Sequence, residues 1–136
     1  MITYTDSLEE ITADKLSGGF FVGWPNPPNP DTHLRILQGS THIILALDDQ
    51  TNQVVGFINA IGDRVLNAFI PLLEVLPTHQ KQGIGAELVG RMLDKLRSLY
   101  AIDLLCDSDL QPFYERFGMR PYTAMLYRNY DRQSGT

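Results

Sequence analysis

The chain has 136 residues, of which 43% are hydrophobic and 20% charged, as is usual for one globular domain. Its formal net charge of -5 makes non-specific binding to nucleic acids or anionic membranes unfavourable. The single cysteine, Cys106, excludes an internal disulfide and a cysteine-rich zinc site. No apolar run reaches the ~20 residues that a membrane span needs, and the acidic N-terminus lacks the apolar segment of a signal peptide. We therefore expect a cytoplasmic protein.

The N-terminal third predicts one strand and two helices. Ile2–Thr5 alternates weakly between apolar and polar residues, as a short strand does. Leu8–Leu16 has apolar residues at the spacing of a helix, and glycines follow it. A second helix is predicted over His33–Gln38, with Asp31 or Thr32 as its N-cap.

A proline-rich loop separates these two helices. Four prolines within Pro25–Pro30 exclude a helix or a paired strand there, so this segment is expected to be stiff and extended. Phe20, Phe21 and Trp24 precede it directly. They either anchor the loop to the core or form one wall of a substrate pocket, since a rigid aromatic loop suits such a wall.

Three strands are predicted in the middle of the chain, over Thr41–Leu47, Val54–Ile61 and Ala68–Leu76. The links between them are too short for crossovers, so the strands form an antiparallel meander. Pro77 ends the third strand because it has no N–H to donate to the ladder. Glu74 is the one carboxylate in this last apolar run, where an unpaired charge is costly to bury.

The last third predicts a long amphipathic helix whose apolar stripe from Ile84 to Leu99 is core. A strand over Ala101–Cys106 is reached through this helix and is therefore parallel to the strand before it. A short helix over Gln111–Phe117 and one or two closing strands within Met119–Asp131 follow. The prediction is an α/β (α+β) domain over residues 1–131, with a mixed, mostly antiparallel sheet of six to seven strands, about four flanking helices and a flexible tail over 132–136.

A glycine turn lies between the third strand and the long helix. Gly83 and Gly85 let a ligand approach the backbone, and the unpaired N–H groups of a helix start attract anions. The turn is not a P-loop, because G-x-x-x-x-G-K-[ST] is absent. It is not a dinucleotide fingerprint either, because Leu88 stands where the third glycine would be and Pro77–Gln82 separates the strand from the turn.

Two segments together resemble the GNAT superfamily of N-acetyltransferases. Residues 80–85 read QKQGIG and match the pattern Q/R-x-x-G-x-G/A, and residues 113–119 read FYERFGM, similar to F-Y-x-x-x-G-F. They occur in the family's order and spacing among elements that follow its topology. The resemblance implies acetyl-coenzyme A as acyl donor, held at the glycine turn. The residues it implies for cofactor binding are Leu73, Val75, Gln80, Lys81, Gln82, Gly83, Ile84, Gly85 and Ala86.

The resemblance also implies catalytic roles. Tyr114 stands where the family often has a tyrosine that protonates the departing thiolate; the alternative is a packed core tyrosine. A glutamate on this strand is a recurring general base in the family, which implies that role for Glu74; the alternative is a glutamate paired with a basic side chain. A bulge that frees the N–H of Leu73 or Val75 would supply an oxyanion donor.

The expected function is transfer of an acetyl group from acetyl-CoA to a primary amine by direct attack in a ternary complex. The acceptor is expected to be a small molecule, bound near Phe20, Phe21 and Trp24. A protein N-acetyltransferase and a non-catalytic CoA-binding regulatory module are the alternatives. No metal is expected, because the three histidines lack ligand spacing. Neither nucleic acid nor membrane is an expected partner, and a homodimer through the edge of the C-terminal strand is one arrangement the sequence allows.

Overall fold

The computed structural model describes all 136 residues, Met1–Thr136. Short 3-10 turns occupy Ala13–Leu16, Pro77–His79, Ser108–Leu110 and Tyr130–Arg132. No helix is long and apolar enough to cross a membrane. The strands and helices, in chain order, are β1 (Ile2–Thr5), α1 (Pro30–Gly39), β2 (His42–Asp48), β3 (Gln53–Gly62), β4 (Asn67–Ile70), β5 (Leu73–Val75), α2 (Ile84–Leu96), β6 (Ala101–Leu104) and α3 (Gln111–Glu115).

The six strands form one mixed sheet, as predicted. β1, β2 and β3 are an antiparallel meander, and β4 and β5 both pair antiparallel with β3. β6 follows α2 and pairs parallel with β4, so the crossover prediction is confirmed. The sheet therefore runs β1-β2-β3-β4-β6, with β5 continuing the line of β4 along β3.

The strand predicted over Ala68–Leu76 is two strands, β4 and β5. Pro71 separates them, because a residue without an N–H cannot continue the ladder. Ile61 of β3 pairs with Phe69, and Ile58 pairs with Leu73. Moving three residues along β3 therefore corresponds to moving four residues from β4 to β5. The one extra residue is a β-bulge, and it ends the pairing of this line with β6.

The core lies between the sheet and α2. Leu88, Val89 and Met92 are fully buried against β2 and β3, which confirms the predicted apolar stripe. Phe57 on β3 is buried among aromatic rings on the other face of the sheet, away from α2. The helix ends at Leu96, three residues earlier than predicted.

Two expectations for the N-terminal third need correction. The helix predicted over Leu8–Leu16 is only a 3-10 turn at its end, because the hydroxyls of Thr5 and Ser7 accept hydrogen bonds from nearby backbone N–H groups and stabilise turns instead. Helix α1 begins at Pro30, not His33, because proline suits the first helical position. Its N-cap is Asn29, whose side chain accepts from the N–H of Thr32 at 2.8 Å.

The closing strands predicted within Met119–Asp131 are absent, and β6 ends at Leu104 instead of Cys106. Residues 119–129 belong to no helix, turn or strand. The outer edge of β6 is consequently unpaired. At the end of the chain the Gln133 side chain accepts a hydrogen bond from the N–H of Asn26 at 3.0 Å.

Candidate active site

The glycine turn presents free backbone N–H groups to solvent. Lys81 and Gly83 have φ of 64° and 83°, in the left-handed region, so the chain turns tightly just before the helix. Gly83 is the N-cap of α2, and no side chain caps this end. The first helical bond runs from the N–H of Glu87 to the Gly83 carbonyl, which leaves the preceding N–H groups available for an anion.

Three segments that are distant in sequence meet at Gly85. A methyl group added there would lie 3.7 Å from Cζ of Phe113 and 3.9 Å from Cγ2 of Val75. The glycine turn, β5 and the start of α3 therefore adjoin one another. A hydrogen bond also joins the loop before the glycine turn to β5: the Gln80 side chain donates to the Val75 carbonyl at 3.0 Å. Contact of Gln80 with a phosphate stays a prediction.

β5 has one side without a neighbouring strand. The N–H of Leu76 bonds the Val55 carbonyl at 2.8 Å, and the Leu72 carbonyl accepts from Asn59 at 3.2 Å. Because hydrogen-bonding direction alternates along an antiparallel strand, the N–H groups of Leu73 and Val75 point away from β3. Pairing with β6 stops at Ile70, so this side is open. The bulge that the sequence left unresolved is present, and it opens the sheet beside the glycine turn.

Asn59 holds this opening in place and was not recognised from the sequence. Its buried side chain accepts from the N–H of Leu72 at 3.1 Å and donates to Oγ of Ser40 at 3.0 Å. It thereby replaces the ladder bond that the bulge removes. A signal was available: Asn59 is the one polar side chain within the apolar run Val54–Ala60.

Glu74 lies on β5 and is half-buried. Its carboxylate accepts from the N–H of Phe21 at 2.7 Å and from that of Val22 at 3.2 Å. Burial raises the pKa of Glu74, and these two hydrogen bonds act in the opposite direction. No basic side chain pairs with Glu74. It anchors the aromatic loop to the central strand, and its action as a general base stays a prediction.

The aromatic loop combines a buried part with an exposed part. Phe20 and Phe21 are buried in the core, where their rings pack against His33 and Phe57. Phe21 has φ of 65°, which is rare for a bulky residue, and the Glu74 carboxylate holds it there. Trp24 packs on Phe21 with its ring centre 5.0 Å away and is partly exposed. Of the three aromatic residues predicted to bind substrate, Trp24 is the one that solvent reaches.

Tyr114 lies on α3 beside Phe113, with ring centres 5.0 Å apart. Burial raises the pKa of Tyr114, and the nearby Cys106 thiol raises it further when ionised. The phenol is therefore protonated at neutral pH and can serve as a proton donor. Tyr114 thus neighbours Phe113, the ring that adjoins Gly85, and its action as a general acid stays a prediction.

His79 stabilises the loop that leads to the glycine turn. Its Nε2 lies 3.0 Å from Oδ2 of Asp48 at the end of β2, and its Nδ1 lies 2.8 Å from Oγ1 of Thr78. The hydrogen bond to His79 is the main cause that lowers the pKa of Asp48. No group of three His, Cys, Asp or Glu side chains is placed to hold a metal ion.

Comparison with known proteins agrees with this geometry. A family model described as the acetyltransferase (GNAT) family matches residues 7–119, which is most of the chain and includes both motifs. The chain belongs to the GNAT family. An acetyltransferase of that family from Streptococcus pneumoniae TIGR4 has a solved structure that is 30% identical, with a TM-score of 0.76 over 95% of this chain and 98% of that one.

Two further relatives extend the comparison. A crystal structure of a candidate acetyltransferase from Deinococcus radiodurans R1 is 47% identical, with a TM-score of 0.95 over 99% of this chain and 93% of that one. GCN5-related N-acetyltransferase 3, a chloroplastic protein of Arabidopsis thaliana, is 40% identical over 74 residues, which are 53% of this chain and 31% of the plant protein. The chain spans about a third to three-fifths of the length of such curated relatives.

Proposed function

We propose that this GNAT chain is an acetyl-CoA-dependent N-acetyltransferase that acts on the primary amine of a small molecule. The observation that supports this best is the meeting of the glycine turn, β5 and α3 at Gly85. An anion-binding helix start and free strand N–H groups adjoin there, and the protonated phenol of Tyr114 lies beside the Phe113 ring that contacts them. These are the three groups that a thioester with a pyrophosphate-bearing carrier needs around it.

In this proposal the acyl donor lies in the opening beside β5. The pyrophosphate binds the N–H groups at the start of α2, near Gly83 and Gly85. Carbonyls and N–H groups on the open side of Leu73 and Val75 bond the amide groups of the pantetheine chain. One of these N–H groups faces the thioester oxygen and stabilises the negative charge that develops on it.

The chemical step is direct attack of the amine nitrogen on the acetyl carbon. A C–N bond forms, the C–S bond breaks and coenzyme A leaves as a thiolate. The amine proton passes to Glu74 or to a water molecule that it orients, and Tyr114 protonates the departing sulfur. Because burial already raises the pKa of Glu74, its carboxylate accepts a proton more readily than an exposed one.

The acceptor is proposed to bind near Trp24, the exposed member of the aromatic loop. Glu74 fixes this loop to β5 through the N–H groups of Phe21 and Val22, so the loop is held at a set distance from the reacting atoms. Such a fixed wall suits a small amine. We also propose a cytoplasmic location, although the Arabidopsis relative is named as chloroplastic.

The test is release of coenzyme A thiol from acetyl-CoA with a panel of small amines and with lysine-containing peptides. We expect turnover with a small amine, and a kcat about 100-fold lower for Tyr114→Phe with an unchanged KM for acetyl-CoA. Tyr100→Phe is the matched control, because Tyr100 is exposed just before β6 and keeps its ring in the variant, and it should behave as wild type.

Each other outcome identifies an alternative. Full activity of Tyr114→Phe would refute the acid role. Turnover with peptides alone would make the chain a protein acetyltransferase. Binding of acetyl-CoA, measured by calorimetry, without turnover on any amine would identify a regulatory module.

A further inference from the structure

The C-terminal part of the chain lacks a buried core of its own. Every buried residue lies at or before Leu96, and residues 97–136 contain none. This is not for want of apolar side chains, since the part includes Phe113, Phe117 and several leucines and tyrosines. Apolar side chains that stay half-exposed in a folded domain indicate a surface that binds another molecule.

Exposed apolar side chains gather on two surfaces in this part of the molecule. The first surface lies around β6 and consists of Phe69, Tyr100, Leu105 and Leu110, all more than a third exposed. The second is the irregular segment 119–129, here named the arm. Its exposed apolar side chains are Tyr122, Met125, Leu126 and Tyr127, of which Met125 is 96% exposed.

The two surfaces are complementary in their backbone as well. None of the residues of the arm belongs to a helix or a strand, so its N–H and C=O groups lack ladder partners. The outer edge of β6 also lacks a strand. Unpaired edges of this kind readily add a strand from another chain.

The arm does not occupy the β6 edge of its own chain, because its far end is held elsewhere. The Gln133 side chain accepts from the N–H of Asn26, and an added Cβ at Gly135 would lie 2.9 Å from Cγ2 of Thr32. Thr32 belongs to α1, which packs on β3 through His33 and Phe57, two strands away from β6. The arm is thus held open between two anchored ends.

We propose that this face binds a second copy of the chain, with the arm of each protomer adding as a strand to the β6 edge of the other. A two-fold arrangement satisfies both surfaces at once, since each copy supplies one arm and one edge. It also covers the two apolar groups with each other. The similarity to the Deinococcus crystal structure covers 99% of this chain and therefore includes the arm. The inference goes beyond acetyl transfer and does not depend on it.

The first experiment measures molecular mass in solution by light scattering on the full chain. We expect twice the 15.3 kDa of one chain for the wild type. Met125→Asp should give a monomer with an unchanged circular dichroism spectrum, because this side chain makes no core contact. Met125→Leu and Gln50→Asp are controls: the first keeps an apolar side chain, and the second adds the same charge in the distant β2–β3 turn. Both should remain dimeric.

The second experiment uses the single cysteine, Cys106, which follows β6 by two residues. Cysteines introduced in turn at Thr123, Ala124 and Met125 should form a covalent dimer under mild oxidation, seen on a non-reducing gel. Adding Cys106→Ser should abolish it. This result would decide the matter even if Met125→Asp failed to fold.

Three results would overturn the proposal. The first is a monomeric wild type at every concentration assayed. The second is a dimer that Met125→Asp leaves intact. The third is a disulfide that forms within one chain and gives only a compact monomer on the gel.

Discussion

Residues 1–96 and residues 97–136 are packed in different ways. The first part contains all of the buried residues, five of the six strands and the long helix α2. The second part contains β6, α3 and the arm, and its apolar side chains are at most partly buried. Yet the candidate site draws on both parts, because Gly85 and Val75 come from the first and Tyr114 from the second.

The difference indicates a division of roles. Stability of the fold comes from burial in the first part, where apolar area is removed from water. The second part is held by fewer apolar contacts, so it is expected to open locally at a lower free energy than the whole domain. The phenol of Tyr114 therefore sits on an element whose order depends on what packs against it, including acetyl-CoA and a second protomer under the proposals above.

The largest expected effect is on the free energy of unfolding, when a phenylalanine ring is removed from the first part and, for comparison, from the second. Phe57→Ala should lower the free energy of unfolding by about 3–5 kcal/mol, because Phe57 is fully buried and contacts Phe20, Phe21 and His33. Phe117→Ala, in the second part, should cost clearly less. Urea unfolding of both variants measures the difference, and equal losses would contradict the contrast between the two parts.

The pH dependence of stability should also originate in the first part. Burial lowers the pKa of His33 from 6.5 to about 4, and its Nε2 has no hydrogen-bond partner. Between these values the folded chain binds fewer protons than the unfolded chain, so stability falls as the pH falls from 6.5 toward 4. The loss attributable to His33 is about 3 kcal/mol at the lower limit.

His33→Leu isolates this contribution from that of the carboxyl groups. The variant should lose less stability than wild type over the same pH range, measured by urea unfolding at each pH. Removing a buried nitrogen that has no partner should cost little at pH 7. Identical pH profiles for the two proteins would show that the pKa of His33 is the same in the folded and the unfolded chain.

A smaller effect is expected at the bulge that opens the sheet. Asn59→Ala leaves the buried N–H of Leu72 without an acceptor and should cost about 1–3 kcal/mol of stability. The activity should fall with it, as a raised KM for acetyl-CoA, because β5 loses its fixed position. Ser40→Ala removes the other hydrogen bond of Asn59 and the bond from Ser40 to the Ile36 carbonyl, but it keeps the bond to Leu72 and should leave the KM unchanged. A KM raised equally by both variants would show that the site does not depend on the bond to Leu72.

Much of the fold could be predicted where one residue pattern dominates. The stripe on α2, the meander and the parallel placement of β6 follow from local periodicity and from connection length. The glycine turn and the segment around Tyr114 were recognised together, and the structure brings them into contact through Gly85 and Phe113. Pro71 also carried a readable signal, since proline interrupts a ladder.

The remaining features depend on contacts between distant residues. Glu74 was expected to face substrate or a basic side chain, but its partners are backbone N–H groups of the loop 53 and 52 residues earlier. The apolar pattern of the arm predicts a strand, whereas strand formation also needs a neighbouring edge to pair with. Asn59 gained its role from a bulge, which a single sequence does not reveal.

The smallest expected effects come from one substitution made at two glycines, one in each part. Gly90 lies inside α2 with no atom within 4 Å of an added Cβ, so Gly90→Ala should stabilise the chain by about 0.5–1 kcal/mol. Gly118 follows α3 with φ of 90° and equally open surroundings, so Gly118→Ala costs about 1–2 kcal/mol through backbone strain alone. Because the second part opens locally, this strain should appear chiefly as faster amide hydrogen exchange near Tyr114, with little change in the urea midpoint. A urea midpoint lowered as far as a loss of about 1–2 kcal/mol requires would instead show that residues 97–136 unfold together with the core.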